Sequence, residues 1–141
     1  MNRLWLSLCL AVILLAIPFP VRQASAPPAH EVEVFDVKKG TVVRQLEPTD
    51  AIRQEAERIL ASITGQAPLF RADPEDGRII RIPLAPPIEV TIPGFHALAT
   101  EMFVFIPESK QPYVLLFSEE NDPRLFAFSH PVQQLLELCL K

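Results

Sequence analysis

Three histidines, two cysteines and seventeen carboxylates are the side chains from which this chain could build chemistry. His30, His96 and His130 are far apart, and no two share the close spacing of a helical zinc pair. A metal would need Asp or Glu from distant loops, so no metal site and no cofactor are expected. His96 or His130 beside a carboxylate such as Glu101 could form the acid–base pair of a small hydrolase. No G-x-S-x-G segment supplies a nucleophile for it. The plainer reading of His130 is a partly exposed residue leading into a terminal helix. Cys139 would need a neighbouring base to act as a nucleophile. It falls on an apolar stripe, where a free cysteine behaves as a small hydrophobe. The acidic runs Asp73–Asp76 and Glu119–Asp122 lack the calcium-loop spacing D-x-[DN]-x-[DN]-G and read as turns. With four glycines in the chain, no glycine-rich loop can cradle a phosphate.

Aromatic side chains exert more functional pull. Phe103, Phe105, Phe117, Phe126 and Phe128 crowd into one stretch. Filling a core is the plain use of such rings. The functional use is a groove for an apolar ligand or a partner segment. Phe95 and His96, just after the Pro93-Gly94 turn, would form its lip. The candidate ligand- or partner-binding residues are therefore Phe95, His96, Phe103, Phe105, Phe126 and Phe128.

Regular elements must position these residues. Pro48 to Gly65 has the strongest pattern. Ile52, Ala56, Ile59, Leu60 and Ile63 follow i, i+4, i+7, i+8, i+11, one stripe of a helix. Thr49 is the expected N-cap. Asp50 suits the positive end of the helix dipole, and Gly65 the C-terminal stop. Arg53, Gln54, Glu57 and Arg58 lie off the stripe. The rest reads mainly as strands. Glu31 to Leu46 predicts a hairpin around Lys38-Lys39-Gly40, with a bulge or a partly two-sided strand where the buried face switches. Arg78–Leu84 and Ile88–Ile92 alternate cleanly, separated by Ala85-Pro86-Pro87. Met102–Ile106, Tyr113–Phe117 and Leu125–Phe128 are apolar on both faces and form a meander. Val132, Leu135, Leu136, Cys139 and Leu140 then predict a short amphipathic helix opened by Pro131. It is expected to dock on the sheet and close part of the meander's second face. The expected fold class is α+β: an antiparallel sheet of about five to seven strands packed against one long amphipathic helix, with a short C-terminal helix.

At the N-terminus, Met1-Asn2-Arg3 precedes an apolar run from Leu4 to Ile17. As a helix it would span about 21 Å, short of a ~30 Å bilayer core. Residues 1–26 are expected to be a signal peptide cut after Ala24-Ser25-Ala26, or an uncleaved anchor, since Pro27 is a poor residue after a cut. Residues 27–30 form a linker and residues 31–141 a single domain. Removing residues 1–26 takes away Arg3 and Arg22 and no acid, leaving eleven basic against seventeen acidic residues. A domain this acidic without a basic stripe argues against nucleic acid. Membrane contact is expected only through the N-terminal segment, if it is uncleaved. One cysteine remains, so no internal disulfide is possible.

A helix against an antiparallel sheet is similar to the arrangement of cystatin-like inhibitors. The Q-x-V-x-G inhibitory segment is missing, so no inhibitory function follows. The reading is an exported, secreted or membrane-anchored, non-catalytic module that binds an envelope or extracellular protein. The meander edge or the Phe95-His96 loop is its expected contact. An apolar-ligand carrier and the small hydrolase are the alternatives.

Overall fold

A computed structural model describes residues 30–68 and 72–141. The signal-peptide expectation and most of the linker lie outside the described residues. Among the described residues the fold is α+β, with seven antiparallel strands and two helices.

Helix α1 runs Asp50–Ala61, twelve residues rather than the long element expected. Its start follows the sequence: Thr49 Oγ1 accepts from the Ile52 amide at 3.3 Å, and Asp50 sits in the first turn. Its end does not. The Ser62 amide bonds back to Arg58 and Ile59, and Ser62 Oγ donates to the Ile59 carbonyl at 3.0 Å. Residues Ile63–Gln66 then leave as a strand. Helical phase placed Ile63 on the stripe, but pairing with a distant strand supplies the backbone partners that another turn would have offered. Ile52, Ala56, Ile59 and Leu60 are buried as the spacing predicts. Ile59→Ala should cost about 2–5 kcal/mol in lost burial and cavity, whereas Glu57→Ala should stay within about 0.5 kcal/mol. Denaturant midpoints check this, and equal losses would mean the helix is phased differently.

The strands are β1 (Val32–Asp36), β2 (Thr41–Leu46), β3 (Ile63–Gln66), β4 (Arg78–Ile92), β5 (Phe95–Ile106), β6 (Tyr113–Phe117) and β7 (Pro123–Phe128). Their order is β2-β1-β4-β5-β6-β7-β3, and every pair is antiparallel. The first hairpin turns at Gly40, with φ +65°. Its bulge lies between Val34 and Phe35, with Val43 the extra residue of β2. Ala85-Pro86-Pro87 does not end a strand as expected. β4 passes through it as a bulge in the pairing with β5, between Pro83 and Ile88. The meander pairs as predicted, but its outer edge is not free: β3 bonds to β7 along it.

Alternation along each strand assigns the two faces. Val32, Val34, Ile80, Ile82, Met102, Val104, Val114, Leu116, Phe126 and Phe128 point to the side that carries α1 and form one core with it. Helix α2, Gln133–Leu140, adds Leu135 and Cys139 to that same core, as does Val132 just before it. The terminal helix therefore does not close the second face. It lies beside α1, and Arg44 Nη1 donates to the Leu140 carbonyl at 3.3 Å.

Candidate functional site

The face turned away from the helices is built from rows that cross the sheet. One row runs Phe35, Ile79, Phe105, Tyr113, Ala127; the next runs Glu33, Arg81, Phe103, Leu115, Leu125. Each row joins side chains far apart in sequence, because antiparallel partners share a face. The second row divides in chemistry. Arg81 Nε donates to Glu101 at 2.7 Å and its Nη1 to Glu33 at 3.4 Å. Gln45 donates to the other Glu33 oxygen at 3.0 Å. Glu101 hydrogen-bonds to Arg81 and raises its pKa, against the opposing effect of burial. Toward β6 and β7 the row turns apolar, through Phe103, Leu115 and Leu125.

Two ring pairs shape the apolar half. Phe105 stacks on Tyr113 with centroids 4.7 Å apart, and Phe103 meets Phe117 edge-on at 6.1 Å. Ala67 and Ala72, on the connection between β3 and β4, pack against the Phe105–Tyr113 end. Burial, with the nearby negative Asp73, pushes the Tyr113 hydroxyl pKa up. Phe103, Leu115, Phe117 and Leu125 remain only partly buried.

The structure thus splits the residues singled out by sequence. Phe103 and Phe105 belong to this outer face. Phe126 and Phe128 are core residues, and Phe95, expected at an open lip, is buried against Phe126 with ring centroids 4.9 Å apart. These three rings do not line a groove, because strand alternation turns them toward α1. His96 is exposed on β5, with Nδ1 3.0 Å from Thr91 Oγ1 and Nε2 4.0 Å from Glu89. Glu101, a proposed partner for a histidine, is engaged with Arg81 instead.

His130 does meet a carboxylate, and sequence reasoning passed that residue over. Glu55 is fully buried in α1; its carboxylate lies 2.8 Å from His130 Nε2 and 2.6 Å from Arg58 Nη1. The signal was present: Glu55 is three residues after Ile52 and four before Ile59, on the apolar stripe. A carboxylate in that phase must bring its own partners inside. The His130 amide donates to Ser62 Oγ at 3.0 Å and the Ser129 amide to the Ser62 carbonyl at 3.1 Å. The cluster therefore pins the end of α1 to the junction between β7 and α2. Ser62 Oγ is already bound to the Ile59 carbonyl and the His130 amide, so this is not the hydroxyl–imidazole contact of a nucleophile and its base.

Burial pushes the Glu55 carboxyl up, but the hydrogen bonds and charge of His130 and Arg58 outweigh it and hold it below the ordinary value of 4.5. Asp36 is held low chiefly by the Lys39 amide, with Arg78 at 2.8 Å adding to it against the cost of burial. A carboxylate with a lowered folded-state pKa stabilises fully above its unfolded pKa, and that stability is lost as pH falls through the folded value. Denaturant midpoints should therefore fall below about pH 4.5. Glu55→Gln should lower the neutral midpoint and flatten the acid decline. An unchanged acid profile would mean that Glu55 is not held as a carboxylate.

Cys139 is buried on its stripe as expected, and burial pushes its thiol up to about 11. Among the described residues, no group of three or more His, Cys, Asp or Glu is placed to hold a metal ion. No described helix is long and apolar enough to cross a membrane. No family model, no curated protein and no solved structure matches the chain.

Proposed function

We propose that this chain is an exported, non-catalytic domain that binds an envelope or extracellular protein through the apolar half of its outer sheet face. One observation carries the reading. Both helices cover the same side of the sheet, while Phe103, Leu115, Phe117 and Leu125 stay partly open on the other. Rings held on a paired sheet lose little further freedom on binding, which favours them as contact residues. The adjoining Glu33–Arg81–Glu101 lattice gives the patch a polar border, the usual frame of a recognition surface. An enzyme is less well supported, since the half-buried His130, paired with buried Glu55, serves a structural junction. A carrier is less well supported because Phe95, Phe126 and Phe128 are used in the core. Export rests on the apolar N-terminal run and the small-residue site at Ala24–Ala26.

The test is capture from the envelope fraction by the immobilised full chain. The wild type and Glu137→Ala, exposed on α2, should retain one partner, and Phe103→Ser with Phe117→Ser should lose it while keeping the wild-type circular dichroism. Equal capture by all three proteins would overturn the outer face as the contact.

A further inference from the structure

A second surface, separate from the outer face, is a groove of about 410 Å³ between α1 and the far half of β4. Three features identify it. Five consecutive residues, Ile88 to Ile92, line one wall. A sheet face presents only alternate residues, so the groove runs along the edge of the strand. That edge is unpaired among the described residues, because β1 bonds to β4 only over Arg78–Arg81 and β5 occupies the other side. The opposite wall is Glu57, Leu60 and Ala61, spaced i, i+3, i+4 along one helix face.

We propose that this groove takes an extended, basic segment of a partner protein as an added strand. An open strand edge offers a row of main-chain donors and acceptors, and a strand laid beside it satisfies them. Five paired residues would cover about 17 Å. Alternate side chains of the guest would face the apolar lining supplied by Leu60, Ile63 and Val90. Among the described residues, the charged ones lining the groove are Glu57 and Glu89, with side chains 48% and 71% exposed. Glu57 already has Arg53 at 3.0 Å, whereas among the described residues Glu89 has His96 at the longer distance of 4.0 Å. A lysine or arginine at the rim of the guest answers this acidic lining. Prolines 86, 87 and 93 bracket the edge, so the added strand is short.

Selection from a random peptide library on the immobilised full chain tests the proposal. It should enrich sequences with aliphatic residues at alternate positions and at least one Lys or Arg. Methylating the guest's backbone nitrogens one at a time should weaken binding at every second position. Glu57→Lys with Glu89→Lys, both on exposed side chains, should weaken the selected peptides about tenfold. Phe117→Ser, on the other surface, should leave them unchanged. Three outcomes would overturn the proposal: no enrichment, binding indifferent to the double charge reversal, or crosslinks showing that residues 22–29 of the same chain occupy the groove. None of these bears on capture through the outer face, so the two readings fail separately.

Discussion

Deleting residues 131–141 is expected to leave a domain that no longer holds a cooperative fold. Val132, Leu135 and Cys139 are all buried in the core shared with α1. Burying a large apolar side chain contributes about 1.5–3 kcal/mol, so losing the three removes about 4.5–9 kcal/mol. A domain of this size commonly has about 5–15 kcal/mol in total. Helix α2 has eight residues and no side-chain cap at its start, so packing holds it and packing is what it gives back. The exposed surface is the side of α1 that α2 covers and the neighbouring part of β2, not the meander's outer side. The truncated chain should bind ANS strongly, self-associate and lose its urea transition. A truncated chain that stays monomeric, dye-silent and equally stable would show that α2 does not seal the core.

Gly77→Ala is expected to be the most costly of the four glycine-to-alanine changes. Gly77 has φ +86°, and a β-carbon there would fall on the Ile106 carbonyl oxygen and 2.8 Å from Pro107 Cα. Both obstacles are backbone, so no side chain can swing aside. The Gly77 carbonyl also accepts from the Val37 amide at 3.2 Å, so displacement would disturb the first hairpin as well as the start of β4. A left-handed conformation alone costs alanine about 1–2 kcal/mol. With the clash, the loss should reach about 3 kcal/mol or more. Gly40→Ala is the control. Its φ is +65° with nothing within 4 Å of the added carbon, so it should lose only about 1–2 kcal/mol. Equal midpoints for the two variants would mean that the close approach at Ile106 is absent.

Several parts of this architecture were legible from residue order because they depend on local chemistry. Thr49 capping, the Gly40 turn and the buried stripe Ile52–Leu60 each need only neighbours in sequence. The meander was legible because its strands are adjacent and its turns carry Pro, Asn and Asp. What escaped required partners far away. Ile63 continues a helical stripe, and only the presence of β7 makes it a strand residue. Ala85-Pro86-Pro87 reads as a break, but pairing with β5 on both sides carries β4 through as a bulge. The side covered by α2 could not be read from a stripe that fits either face of the sheet. The candidate site divided along the same line. Phe103 and Phe105 point outward while Phe126 and Phe128 point inward, because register decides the side and period-two alternation decides the rest. Glu55 was the readable exception, a carboxylate in an apolar phase.

The open outer face is the claim on which the functional reading rests, and hydroxyl-radical footprinting of the full chain addresses it directly. In the purified protein, Phe103, Leu115 and Phe117 should be oxidised readily, and Phe95 and Phe126 hardly at all. With the envelope fraction added, the three outer residues should become protected while exposed His96 shows whether cover extends along β5. Outer residues already protected in the isolated chain, or oxidised equally with and without the fraction, would contradict the account.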